Sequence, residues 1–306
     1  MPLASARPLP QPAPEMPAAE LADALARHAP VAVITGAGVS TASGIPDYRD
    51  HSGRWKRGSP MQLAEFTGSE HGRQRYWARS LVGWRTVEQA RPNAAHRWLA
   101  SLAGQGLLGT LITQNVDGLH QAAGSPDVLD LHGRLDRVEC LDCQRVIPRA
   151  RHQRGLEAAN PGWAEAARRG APAPDGDVEL GDVDYAGFVV PACEACAGML
   201  KPAVTFFGET VPASRVQAAF AAVAGAGALW VVGSSLMVWS GYRLVRAAAA
   251  AGKPVYILGL GVSRGDAEAS GRLTADCAAG LAALSAALAT RQAGAAARPG
   301  PSRQGR

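Results

Sequence analysis

Residues 113–120 read TQNVDGLH and follow an apolar run, Leu107–Ile112. Gln114, Asn115, Asp117 and His120 thus arrive together at the end of what reads as a buried strand. A carboxylate that accepts N–H groups beside a carboxamide that donates to a carbonyl can hold a planar amide, which is the chemistry Asn115 and Asp117 offer. The same residues also suit an Asx turn that caps the next helix. His132 lies in DLHG (130–133), after another apolar stretch and before a glycine. An imidazole there is near its working pKa and can serve as a general base, or it can be a satisfied structural histidine. Cys140–Cys143 and Cys193–Cys196 form two C-x-x-C pairs, with Cys277 left over. Four thiolates so grouped make a closed tetrahedral zinc site with no open position for water, hence a structural metal rather than a catalytic one.

Three further stretches have chemical potential. In TGAGVSTASGIPDYR (35–49), Gly36, Gly38 and Gly44 let the backbone approach a ligand and leave amides free for phosphate, although a strand-to-helix turn without a ligand has the same look. The run is not G-x-G-x-x-G, since position 41 is Thr, and positions 54–57 read Arg-Trp-Lys-Arg where a ribose-binding acid would be expected. A dehydrogenase fingerprint is therefore absent. In VVGSSLMVWSGYR (231–243), a strand ends in Gly233-Ser234-Ser235, whose hydroxyls and amides suit ribose or phosphate. KPAVTFFGE (201–209) reads either as an extended edge able to pair with a peptide strand or as a core strand.

These residues need elements to position them. Short β-branched runs at 31–38, 107–115, 128–133, 228–235 and 254–261 read as strands buried on both faces, and helical stretches such as 92–104 and 212–225 lie between them. The alternation predicts an α/β fold: a Rossmann-like parallel sheet with helices on both faces. In such sheets ligands bind beyond the strands' carboxyl ends, where every cluster above falls. Two segments interrupt the pattern: 50–90, with RQRYWARSLVGW and no clear strand, and 136–200, bounded by the cysteine pairs and containing an acidic Pro/Gly-rich surface loop at 171–187. The expected division is a sheet domain from 18–49, 91–135 and 201–288, a smaller helical and zinc-binding domain from 50–90 and 136–200, and disordered tails at 1–17 and 289–306.

Composition excludes other classes. The 306 residues are 47% hydrophobic and 19% charged, with no apolar run long enough for a membrane span. The formal charge is +5, with +4 in the last 16 residues and −1 in the first 20, leaving +2 in between. That is no footprint for a specific nucleic acid partner. The Pro-rich start lacks a secretory signal's apolar core, and paired cysteines without such a signal suit a cytoplasmic metal site.

Taken in order, GAGVSTASGIPDYR, PNAAH (92–96), TQNVDGLH, LHG, the two C-x-x-C knuckles, LKPAVTFFGE and GSSLMV resemble the sirtuin family over roughly residues 18–285. PDYR, RQRYWARSLVGW, the long inter-knuckle insertion and VWSGYR look like its class II branch. The resemblance implies an NAD-consuming protein-lysine deacylase with one structural zinc, acting on acylated-lysine proteins or peptides and releasing nicotinamide and O-acyl-ADP-ribose. It implies that Gly36, Ala37, Gly38, Asp47, Tyr48, Arg49 and Gln114 line the NAD site, with Tyr48 also beside the acyl pocket. Asn115 and Asp117 would hold the nicotinamide end. Gly233, Ser234, Ser235, Gly259 and Gly261 would serve the adenosine half, and Cys277 would sit near the adenine. Val204, Phe206, Phe207 and Gly208 would sandwich the peptide. His132, rather than His120, becomes the general base. Two positions depart from the family: Gly259 stands where an Asn is usual, and Ala197-Gly198 follows the second knuckle where Gly-Gly is usual. Protein mono-ADP-ribosylation from the same NAD site stays open, and more remotely a non-enzymatic zinc-ribbon binding module.

Overall fold

The computed structural model describes residues 12–50, 52–56, 60–163, 171–172, 176, 178–180 and 183–296. In chain order its elements begin α1 (Ala18–Arg27), β1 (Val31–Thr35), α2 (Leu63–Gly68), α3 (Glu70–Gln89), α4 (Ala94–Gly104), β2 (Leu108–Thr113), α5 (Leu119–Ala122), β3 (Val128–Asp130), β4 (Gly133–Cys140), β5 (Val146–Pro148) and α6 (Arg149–Ala159). They continue with β6 (Ala171–Pro172), β7 (Val178–Glu179), β8 (Leu200–Val204), α7 (Ala213–Gly225), β9 (Leu229–Val232), α8 (Trp239–Ala250), β10 (Val255–Leu258), β11 (Gly271–Leu273) and α9 (Cys277–Ala296).

Six strands form one parallel sheet in the order β11-β10-β9-β1-β2-β3. Every residue of β1, β9 and β10 is buried, because α-helices cover both faces, which is why these strands read as continuous apolar runs. One face packs Val33, Trp230 and Tyr256 against α1, α4 and α9, and the other packs Ile34, Val231 and Ile257 against α7 and α8. The strand order reverses between β1 and β9, so a crevice opens beyond their carboxyl ends. β11 is a sixth strand that periodicity missed; three residues are too few to show a pattern.

The chain leaves this sheet at His132 and enters a second, antiparallel sheet, β5-β4-β8. Its core joins Val138, Leu200, Val204 and Phe206 to Phe66, Tyr76 and Trp77 of the α2–α3 segment. Trp77 donates its indole N–H to the Leu200 carbonyl at 3.3 Å, which ties α3 to β8. The expected boundary at residue 201 therefore falls inside β8, a strand of the second sheet. The expected surface loop at 171–187 holds a two-stranded β6–β7 ladder, with Val178 buried and its carbonyl bonded to Arg79 at 2.8 Å.

The tails also differ where the structure describes them. Pro14–Met16 runs along β11: Met16 N–H donates to the Arg272 carbonyl and Arg272 N–H to Pro14, an edge ladder that local composition does not reveal. Residues 289–296 continue α9, and Arg291 reaches Asp23 at 2.6 Å. Alanine buries little apolar surface per residue but is the best helix former, so an Ala-rich end can read as disorder while it folds as a helix. Residues 1–11 and 297–306 lie outside the described residues. No helix among the described residues is long and apolar enough to cross a membrane.

At the far end of the second sheet the knuckles bring Cys140, Cys143, Cys193 and Cys196 together, all four Sγ within 4.8 Å of one another. The Cys140–Cys196 and Cys143–Cys193 separations are 3.5 and 3.8 Å. Four sulfurs at about 2.3 Å from a tetrahedral zinc would stand about 3.8 Å apart, so the set fits that ion. Each knuckle ends in a left-handed residue, Gln144 at φ 60° and Ala197 at φ 58°. A side chain in that region costs about 1–2 kcal/mol, which accounts for glycine being usual at position 197. Ala197→Gly should raise the urea midpoint by an amount equivalent to about 1 kcal/mol in the zinc-loaded protein, while Ala197→Val should lower it.

Candidate active site

The site begins where two adjacent strands end. Gly38 N–H donates to the Gly233 carbonyl at 2.9 Å, locking the β1 exit onto the β9 exit. The approach leaves no space for side chains: a Cβ on Gly36 would meet Ser234 Cβ at 2.8 Å, and one on Gly38 would meet the Gly233 oxygen at 2.9 Å. Behind them, the Cys277 sulfur at the start of α9 closes the same corner, 2.8 Å from where a Gly233 Cβ would stand. The two exits thus present backbone rather than side chains to the crevice, as a nucleotide's phosphates require.

A cavity of about 680 Å³ lies over this contact, within the range of small-molecule sites. It is lined by the sequence-derived residues Gly36, Ala37, Gly38, Asp47, Tyr48, Arg49, Gln114, Asn115 and Asp117 from the β1 and β2 exits, and by His132. Gly233, Ser234, Ser235, Gly259, Gly261 and Cys277 line its other half, and Val204, Phe206, Phe207 and Gly208 its outer wall. Every residue assigned from sequence to NAD, peptide or catalysis reaches this one cavity, and the four cysteines do not.

The β2 exit is held by hydrogen bonds on every side. Gln114 donates to the Ser234 hydroxyl at 2.7 Å and so spans the two exits. Asn115 donates to the Gly36 carbonyl at 3.0 Å and to Ser40 Oγ at 3.1 Å. Ser40 donates in turn to Asp117 Oδ2 at 2.7 Å. Asp117 Oδ1 accepts from Leu119 N–H at 2.9 Å, so an Asx turn leading into α5 and a place on the cavity wall coexist in one carboxylate. Burial raises the Asp117 pKa above the ordinary carboxylate value. PNAAH sits behind this layer: Asn93 caps α4, donates to the Val39 carbonyl at 2.8 Å, and places His96 Nε2 3.4 Å from Ser40. His120 is 1% exposed and bonded to Thr35 at 2.9 Å, with burial lowering its pKa to about 3. It is a core residue.

His132 stands at the β3–β4 junction. Its Nδ1 lies 3.0 Å from the Gln114 carbonyl and its Nε2 2.7 Å from the Ser240 hydroxyl. A carbonyl only accepts, so Nδ1 carries the proton, and Nε2 is left as a lone pair that accepts from Ser240. Burial lowers the His132 pKa to about 4, opposed by the Gln114 carbonyl and aided by the nearby Arg215 and Arg243 charges. The ring is therefore neutral at pH 7, the state a base needs.

The outer wall combines both readings of KPAVTFFGE. Phe206 packs in the second core, 5.2 Å from Phe66 and 5.1 Å from Tyr76 between ring centroids. Phe207 turns instead to Tyr48 and Trp55, at 6.4 and 5.6 Å. Arg49 stacks on Trp55 at 3.8 Å and donates to the Gly53 carbonyl at 2.8 Å, while Asp47 pairs with Lys56. Among the described residues β8 pairs only with β4, and its outward carbonyls are already taken: Leu200 accepts from Trp77, and Pro202 and Val204 accept from the buried Lys201 Nζ. A Cβ added at Gly259 would meet nothing within 4 Å, and Arg272 holds the Gly259 and Gly261 carbonyls at 3.1 and 2.8 Å. Arg272 is buried with Asp266, 2.8 Å away.

Sequence reading missed Ser40, Ser240, Trp55 and Arg243. Ser40 stands inside the glycine-rich turn, where a hydroxyl between two ligand-facing strands is a usable signal. Ser240 comes from a helix 108 residues away from His132 in the chain, and no spacing reveals it.

The Sir2 family profile matches residues 36–240. An NAD-dependent protein deacetylase of Bordetella bronchiseptica is 59% identical over 234 residues, 76% of this chain and 85% of that one. A protein of the same description from Xanthomonas axonopodis pv. citri is 54% identical over 266 residues, 87% of this chain and 90% of that one. Among solved structures, a Sir2 with a p53 peptide and NAD+ superposes with a TM-score of 0.68 at 27% identity, covering 92% of this chain and 100% of that one. A Sir2 in complex with an inhibitor, 2'-O-acetyl-ADP-ribose and a deacetylated p53 peptide gives 0.67 at 27% identity, covering 90% and 98%. With the strand exits, the cysteine cluster and the cavity geometry in agreement, this chain belongs to the Sir2 family.

Proposed function

We propose that the protein is an NAD-dependent protein-lysine deacylase: it transfers the acyl group of an acylated lysine to ADP-ribose and releases nicotinamide. The observation that carries this is the accepting Nε2 of His132, held inside the cavity between side-chain-free strand exits and the aromatic wall of Tyr48, Trp55 and Phe207. The residues fit NAD. The Gly38–Gly233 contact admits phosphates, the Ser234 and Ser235 hydroxyls suit a ribose, and Asn115 with Asp117 complements a carboxamide. When bound, NAD supplies an electrophilic ribose carbon from which nicotinamide departs.

The chain's own residues do the rest. Asn115 and Asp117 hold the nicotinamide amide, and the Asn115–Ser40–Asp117 bonds keep both side chains in position. The peptide lies against the outer wall of Val204, Phe206, Phe207 and Gly208, which delivers its lysine between Phe207 and the α8 start. His132 Nε2 takes the proton of a ribose hydroxyl, which displaces the Ser240 hydroxyl from the same lone pair. Gln114's carbonyl keeps the other nitrogen protonated throughout. Tyr48, Trp55 and Phe207 exclude water on the acyl side. Cys140, Cys143, Cys193 and Cys196 would hold a zinc that fixes the second sheet and takes no part in the reaction. Reduced, metal-binding thiols suit the cytoplasm as its compartment.

His132→Ala should lose on the order of 10²–10⁴-fold in NAD-dependent deacetylation of an acetyl-lysine peptide while keeping the wild-type circular dichroism spectrum. Unchanged turnover would remove His132 from the mechanism. The neutral ring is the active form and its pKa is lowered to about 4, so it stays deprotonated well below pH 6.5. The kcat/KM profile should therefore stay level through pH 6.5 and fall only on approach to pH 4. An acid limb centred at pH 6.5 would contradict this assignment. Gly259 has open space around it, so Gly259→Asn should fold normally and lower KM for NAD severalfold at unchanged kcat. A raised KM would show that the loop's carbonyls, not a side chain, set that contact.

A further inference from the structure

Charge is distributed unevenly along the chain. From Thr210 to Gly265 the chain has five cations, Arg215, Arg243, Arg246, Lys253 and Arg264, and no acid. This segment contains α7 and α8, and the start of α8 forms a shoulder at the cavity with Trp239, Ser240 and Arg243. Arg243 lines the cavity next to Ser240, and its guanidinium lies 5.9 Å from the exposed ring of Phe220. Arg264 stacks 4.3 Å from Tyr242 and 5.5 Å from Trp239, which is 49% exposed at the cavity rim. Arg215 reaches the β4–β8 end of the same shoulder: its Nη1 would be 3.1 Å from a Cβ on Gly133, the residue paired with Val204. Arg246 is exposed one turn beyond Arg243. None of the four arginines forms an ion pair with any described residue.

We propose that this shoulder is a docking surface for acidic residues that flank the acyl-lysine of the substrate protein. The inference rests on the deacylase reading of the cleft and deepens it by naming a substrate class. Unpaired arginines beside the cleft attract carboxylates on the segment entering it, chiefly through association rate and register. Phe220 and Trp239 give the same segment apolar surface between the charges. A nucleic acid is disfavoured because the chain between its tails carries only +2.

The test compares three acetyl-lysine peptides that differ only in their flanking residues: Glu, Gln or Lys. At low salt the Glu peptide should exceed the Lys peptide in kcat/KM by about tenfold, and the ratio should approach one near 1 M salt, where the Debye length is about 3 Å. In Arg215→Glu with Arg246→Glu the ratio should fall below one; the Gln peptide's kcat/KM and the thermal midpoint should stay at wild-type values in the single variant Arg246→Glu. Arg246→Glu alone, at the exposed position, should lower the ratio in the same direction. Equal turnover of Glu and Lys peptides by wild type would overturn the docking proposal and leave the deacylase reading standing. No NAD-dependent turnover of any peptide would fail the underlying reading instead. A short single-stranded oligonucleotide that inhibits at lower concentration than a free acidic peptide would assign the face to nucleic acid and also overturn the proposal.

Discussion

The contact on which the site depends is the one between Gly38 and Gly233. Their hydrogen bond of 2.9 Å welds the ends of the two strands that flank the sheet's switch point. A methyl group on Gly36, Gly38 or Gly233 would lie 2.7–2.9 Å from neighbouring atoms, so no other residue permits it. The contact leaves backbone facing the crevice and sets the distance that Gln114 spans to Ser234. Gln114 in turn supplies the carbonyl that fixes the tautomer of His132. A single backbone approach thus positions the phosphate platform, the amide-binding pair and the base.

His132 gains its function from being at a junction. It ends the path of the parallel sheet and begins that of the antiparallel one, and its neighbour Gly133 turns the corner at φ 82°. It is therefore adjacent both to the NAD side and to β8, which leads into the outer wall of the cavity. The second sheet is anchored by its aromatic core at one end and the cysteine cluster at the other. A structural metal distant from the cavity still matters to the chemistry, because β4 and β8 run from the cysteines to Gly133, next to His132, and to Val204 on the cavity wall.

Much of this was legible in the sequence for definite physical reasons. Strands buried on both faces write continuous apolar runs, so β1, β2, β3, β9 and β10 were readable, as was the polar punctuation at their carboxyl ends. The cysteine spacing stated its own geometry. What was not legible depends on partners distant in the chain or on edges. β11 and Pro14–Met16 pair with each other and have no internal pattern. β8 joined the second sheet because Phe206 and Val204 pack against α3, a choice that its apolar residues left open. Residues 289–296 are helical because alanine favours the helix, although Ala289, Thr290 and Arg291 are exposed. At the site, Ser240 and Arg243 reach His132 from α8, and only the folded chain brings them there.

The central claim is that one cavity joins NAD to an acyl-lysine and passes the acyl group to ADP-ribose. Mass analysis of the products from NAD and an acetyl-lysine peptide tests it most directly. The expected products are equal amounts of nicotinamide, deacetylated peptide and O-acetyl-ADP-ribose, with no mass added to any protein chain. Nicotinamide release accompanied by an ADP-ribose adduct on protein, with the acetyl-lysine intact, would contradict it.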